Sequence, residues 1–391
     1  MQLIDKKLDQ ELSAFICGWH KLERRINKQD IIDIHLSKKV KGKEYKYQYE
    51  VLKDIEAFSN MSEVKNHPLI SRKMNSHRYY LEKQMGGVIP FDEYLQNTMG
   101  VQSIIYSEKK IQTIREQTNE LLVPFGLKVE EGVQDNFNKI DQQLSAEELI
   151  PFFNDHHNQL YGHIKEKTGL DVDFKIKYSK MDKPVSKIAE LTGDGKNYKL
   201  LFNMYHMHNY GKMAVKHLTA HEISGHAVHF ASLRKQYDEG KMPRYMTYVP
   251  THESFMFSVE GLAETVHDFF PDMFQEPLMK AVFSFNRLRR VVANNATTMA
   301  NRGENIKDCI EYVYKNCPNF PIGKAGLMLG FSSNKPLGSS YSQIYSQGME
   351  TFKEISESHP DKYAFIKSVY EDFTMPEQIK AQSKRSIVDF V

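Results

Sequence analysis

Residues Met213 to Tyr237 read MAVKHLTAHEISGHAVHFASLRKQY. Apolar residues recur in this stretch every three or four positions, the period of a helix with one buried face, and Gly240 and Pro243 beyond it are helix stops. The sequence just upstream has another period. FKIKYSK, from Phe174, alternates as a strand does, and KIAEL, TGDGKN and YKLLFNM read as two strands joined at an Asp-Gly turn. A small sheet is therefore expected between Asp173 and Met204, directly before the helix. On either side, helical spacing runs from Leu3 to about Tyr161, and again over Ser254–Phe270, Leu278–Asn301 and Ile306–Lys315. Gly330 to Gly348, rich in Gly, Ser and Pro, reads as a long loop able to shape a site. The fold class is α+β, mostly helical, with a small sheet next to the central helix.

The chain has 391 residues, with 52 Lys and Arg against 50 Asp and Glu, so no single-sign field exists to hold a polyanion or a membrane surface. Nucleic acid and membrane are accordingly not expected as partners. The stretch KKVKGKEYKYQYE, Lys38 to Glu50, mixes lysine with tyrosine, but in a nearly neutral chain it reads as a solvated helix start. A mean hydropathy of −0.55 with 12% aromatic residues places the chain among globular proteins rather than disordered or membrane-integral ones. Three cysteines, Cys17, Cys309 and Cys317, form no CxxC pair and fit thiols in a reducing compartment. With acidic residues inside the first twelve positions and no sustained apolar run, the N-terminus does not resemble a secretory leader, and a cytoplasmic address is expected.

Histidine is unevenly distributed. Eight of the sixteen fall between His206 and His267 (206, 208, 217, 221, 226, 229, 252 and 267). Within that span lies HEISGH, His221 to His226, followed by VEGLAE, Val259 to Glu264. Two histidines, a glutamate beside the first, and a later helical glutamate are the parts of a catalytic zinc site. The spacing needs an explanation, because ligands on one helical face are usually four residues apart and these are five apart. In a regular helix five residues leave the second ring about 140° away from the first. One π-type turn would bring both onto one face, and Gly225 would tolerate such a backbone.

On this reading His221, His226 and Glu260 bind one Zn2+ per chain, and Glu222 acts as general base on the activated water. Glu264 and His267, one and two turns after Glu260, share its helical face and are placed to orient the histidines, with His229 also near. Tyr345 and Tyr341 are candidate donors to a developing oxyanion, against the plain reading of ordinary amphipathic tyrosines. Arg287 and Arg290 are candidates either to grip a substrate carboxylate or to brace buried acids. Other ligand sets stay open: His217 with His221, or the His206–His208 pair. The strand YKLLFNM is either a partner for an extended substrate or an interior strand. Residues 1–165 are expected to form an N-terminal helical lobe covering a cleft, and 166–391 a lobe carrying the zinc site.

HEISGH and VEGLAE resemble the HExxGH and ExxAE motifs of the dipeptidyl peptidase III family, with Val259 where that family carries a further glutamate. HExxxH followed by EGLA is similar to the microtubule-associated tyrosine carboxypeptidases. Bacterial zinc hydrolases with HExxPGH, EGWA, RxxRxVxD and YxxG motifs are similar over about residues 200–375, through Arg287–Asn294 and Tyr345–Gly348, with Asn294 replacing Asp. The resemblance implies a gluzincin-type zinc peptidase, an exopeptidase of carboxypeptidase or dipeptidase type, with a peptide or protein as substrate. A zinc amidohydrolase acting on a non-peptide amide, or a non-catalytic zinc-containing scaffold, is the alternative.

Overall fold

The computed structural model describes residues 2–131, 137, 139–184, 188–318, 326 and 338–383. Its N-terminal part runs α1 (Lys6–Ile26), β1 (Ile32–His35), α2 (Gln48–Asn60), α3 (Pro68–Gln84), α4 (Phe91–Thr98), α5 (Glu108–Leu122) and α6 (Leu149–Thr168). Then come β2 (Lys175–Met181), β3 (Ala189–Gly193) and β4 (Asn197–Asn203), and α7 (Lys212–Thr219), a π-helical segment (Ala220–Ala227) and α8 (Val228–Asp238) in direct continuation. The chain continues with β5 (Tyr248–Pro250), α9 (Met256–Phe269), α10 (Pro277–Asn301), α11 (Ile306–Asn316), α12 (Gly338–Ser358) and α13 (Lys362–Glu371). At 66% helix with two small sheets, the fold is α+β and mostly helical.

In the three-stranded sheet, order β2-β4-β3, β4 is central. Tyr198, Leu200 and Phe202 point to the core from alternate positions. The turn between β3 and β4 follows the Asp-Gly reading: Asp194 Oδ1 accepts from the backbone N–H of Lys196 and Asn197, and Gly195 has φ +83°. β2 pairs parallel with β4, and β3 antiparallel. A second sheet joins β1 to β5, antiparallel. It lies outside what hydrophobic periodicity detects, because its strands have four and three residues.

Helix α9 is the centre of the molecule. Every residue from Met256 to Val266 is buried, which marks a helix enclosed on all sides. One hydrophobic cluster runs from Leu8 in α1 to Ile379 and includes Val259, Leu262 and Val266 of α9. A second cluster joins α5, α10 and α11 through Ile111, Ile114, Leu288, Val292 and Val313. Ahead of α9, Lys73 of α3 pairs with Glu253 at 2.9 Å and donates to the Tyr248 carbonyl. His77 bridges His252 and the Tyr245 hydroxyl, each at 2.9 Å. His252 thus belongs to a buried structural network rather than to a ligand set.

The expected loop Gly330–Gly348 differs in the structure. Residues 330–337 lie outside the described residues, and from Gly338 onward the chain is helical as α12. Its polar residues are buried, not solvated. Ser346 donates to Asn294 Oδ1 at 2.7 Å, Gln347 donates to the Gln102 carbonyl at 2.8 Å, and Gln343 donates to Thr298. A polar seam between α10 and α12 therefore carries the composition that reads as a loop. Where α12 crosses α9, Gly348 faces Gly261, and a Cβ on Gly348 would stand 2.7 Å from the Gly261 Cα. Gly348→Ala is expected to cost about 1–3 kcal/mol through forced separation of the two helices. Gly162→Ala, at an open position inside α6, should add about 0.5–1 kcal/mol. Urea denaturation measures both, and equal shifts of the two variants would contradict the crossing.

Candidate metal centre

Between α7 and α8 the helix widens into the π turn that the five-residue spacing requires. His221 and His226 consequently share one face, with their Nε2 atoms 3.2 Å apart and their rings nearly perpendicular. Glu260 Oε2, from α9, lies 3.8 Å from His221 Nε2 and 3.7 Å from His226 Nε2. A circle through these three atoms has a radius of about 2.1 Å, the length of a zinc bond to imidazole or carboxylate. Glu260 Oε2 is buried and has no hydrogen-bond partner among the described residues. An orphaned carboxylate oxygen facing two imidazole nitrogens fits a cation.

Gly225 serves the site in a different way from that expected. It is not among the glycines of positive φ; instead a Cβ there would fall inside the methyl group of Ala263. Its role is close approach, letting the π turn lie against α9 so that Glu260 reaches the histidines.

A second layer closes around the ligands. Glu264 Oε1 is 3.5 Å from His221 Nδ1 and forms an ion pair with Arg290. The Arg290 guanidinium lies 4.0 Å over the Tyr345 ring, and the Tyr345 hydroxyl hydrogen-bonds the Glu260 carboxylate. The circuit His221–Glu264–Arg290–Tyr345–Glu260 returns to its starting point. Burial pushes the Glu264 carboxyl up, but Arg290, His221 and His217 outweigh it and bring it down to about 2. For Glu260 burial dominates, the Tyr345 hydrogen bond offsets it only in part, and its pKa rises to about 8. Burial, with His226 adjacent, holds His221 well below the usual imidazole range, so it is neutral and able to ligate.

The remaining candidates fall in several places. Glu222, in the π segment beside His221, is half-buried and within reach of solvent. Tyr341 lies one turn before Tyr345, ring centroids 5.8 Å apart, and feels the charge of Glu260. Three candidates sit elsewhere. His229 is enclosed by Phe255 and Tyr370, 5.2 and 5.7 Å away. His267 stacks flat on Phe283 at 3.5 Å, and Arg287 makes a two-pronged pair with Glu350, which Lys110 also contacts. Among the described residues only His221, His226 and Glu260 gather as three ligands, so His217, His206 and His208 complete no alternative set. β4 is paired along both edges and offers none to a substrate strand. Sequence reasoning missed Asp33, an exposed carboxylate on β1 whose charge acts on both Glu260 and Tyr341. No motif links it to residues so distant in the chain.

Fold and site together define a mostly helical α+β protein with a His-His-Glu metal-binding geometry in its interior. No family model and no curated protein matches the sequence. Two solved structures share the fold. One is a "putative lipoprotein" from Colwellia psychrerythraea, TM-score 0.59 and 13% identity, covering 86% of this chain and 69% of that one. The other is a "putative lipoprotein of unknown function" from Shewanella oneidensis, TM-score 0.53 and 12% identity, covering 85% and 69%. These findings correct two expectations. The gluzincin peptidase family assignment is withdrawn, since the matched structures are not described as metalloproteases; short motifs specify donor atoms, and donor sets recur on unrelated chains. The cytoplasmic address is withdrawn because both neighbours are described as lipoproteins. The N-terminal residues that suggested it form α1, whose composition serves the core. Among the described residues no helix is long and apolar enough to cross a membrane.

Because Glu260 is protonated below about pH 8 in the metal-free protein, cation binding must displace that proton. Zinc affinity should rise about tenfold per pH unit from about pH 6 to pH 8 and then level off. Titration calorimetry in buffers of different ionisation enthalpy should count one proton released per zinc at pH 7. Release of none would remove Glu260 from the ligand set.

Proposed function

We propose that the chain is a zinc-dependent hydrolase that cleaves peptide bonds. The observation that carries this reading is the convergence of His221 Nε2, His226 Nε2 and the unpartnered Glu260 Oε2 on one point, with Glu222 next to the first ligand. Zinc held there supplies a Lewis acid for the substrate carbonyl and lowers the pKa of a water to about 7. The Glu222 carboxylate takes the proton from the attacking water and returns it to the departing amine. The Tyr345 hydroxyl, bound to Glu260 at rest, is a donor in contact with a ligand and can turn to a developing oxyanion. Arg290 under the Tyr345 ring limits where that hydroxyl swings, and through Glu264 it keeps His221 Nε2 aimed at the site.

A ligand set built only to hold a metal has no use for a carboxylate beside its first histidine, so Glu222 favours catalysis over a scaffold role. Glu222→Gln should keep one zinc per chain by elemental analysis and lose about 10² to 10⁴ in cleavage rate on a quenched peptide library. His226→Ala should lose the zinc itself. Undiminished cleavage by Glu222→Gln would end the proposal.

A further inference from the structure

Beside Glu264 and His217 lies a half-open cavity of about 640 Å³. Glu264 and His217 form part of its wall. Through Glu264 it is linked to the ligands, since His221 has Nδ1 toward Glu264 and Nε2 toward His226. The volume is that of a small-molecule pocket. Nothing in the chemistry proposed above uses it.

The cavity has an apolar part and two charged parts. Phe283 is held flat by the stacked His267 and edge-on to Phe274 at 5.5 Å, and Leu121 and Met349 extend the apolar surface. Lys280 and Lys362 flank the turn after α9. Lys280 donates to the Gln275 side chain, Lys362 to the Asp268 carbonyl, and neither forms an ion pair among the described residues. Acidic residues stand on the other part of the wall. Lys353 lies between two carboxylates, Glu357 at 2.7 Å and Asp268 at 3.4 Å, Arg287 acts on both and Lys362 on Asp268, and Glu120 on α5 has no ion pair among the described residues.

We propose that this cavity binds a small zwitterion of the α-amino acid class with an aromatic or branched apolar side chain, free or as a short peptide. Its carboxylate answers Lys280 and Lys362, its ammonium the Glu357–Glu120 side, and its side chain covers Phe283. Binding itself does not require the hydrolase reading. One consequence does rest on it: the ligand class is that of the products of peptide cleavage.

The test is titration calorimetry on metal-free full-length protein with L-phenylalanine, the dipeptide phenylalanyl-leucine, 3-phenylpropanoate and phenethylamine, each up to about 10 mM. One saturable site is expected for L-phenylalanine or the dipeptide, whichever source the cavity takes. The two analogues lacking one charge should bind about tenfold more weakly or worse. Lys280→Glu, at an exposed rim position, and Ser356→Trp, which fills the cavity, should each weaken binding by about tenfold. No saturable binding of either zwitterion, equal binding of the single-charge analogues, or indifference to both substitutions overturns the proposal. Metal content and Glu222→Gln play no part in this readout, so its failure is distinct from failure of the hydrolase reading.

Discussion

Two carboxylates one turn apart on a fully buried helix are the constraint around which the molecule is built. Glu260 and Glu264 are 5% and 4% exposed, and α9 is enclosed on every side. Like charges at this spacing repel, and each buried carboxylate needs a cation or a proton. The protein treats the two differently. Glu264 has Arg290 and stays ionised, whereas Glu260 has only a tyrosine hydroxyl and two imidazoles, and in the absence of metal it holds a proton. The asymmetry makes one residue a fixed anion that orients His221 and leaves the other as the position where a divalent cation is worth most.

Much of this was legible in the sequence because it is local. A five-residue gap between histidines requires a π turn if both are to bind one metal, and the turn is present from Ala220 to Ala227. The sheet and its Asp-Gly turn were legible through alternation and turn chemistry. What remained hidden is non-local. The β1–β5 pairing involves seven residues far apart in the chain, and Asp33 enters the site only through it. The Ser/Gln-rich start of α12 reads as a loop because composition cannot report that Asn294 and Thr298 wait to receive those side chains. At Gly225 the sequence shows a residue that tolerates the π turn but not the contact with Ala263, which leaves no room for a side chain.

The comparisons separate architecture from chemistry. At 12–13% identity the two solved neighbours speak for the course of the backbone alone. The donor geometry is a property of a handful of atoms, and it stands on distances measured in this chain. The assignment to a named peptidase family needed more than six- and five-residue motifs, and it did not survive.

The glycine crossing of α9 and α12 has a consequence for how the protein is made. Glu260 is synthesised well before Gly348 and Tyr345, yet α9 has no covered face on that side until α12 arrives. A nascent chain would therefore carry both glutamates for more than eighty residues of synthesis, and HEISGH for longer still, before their enclosure is possible. Contacts of such long sequence separation form late. The interior site is completed by α12, made long after the ligands, so products truncated ahead of it carry those ligands without the architecture around them.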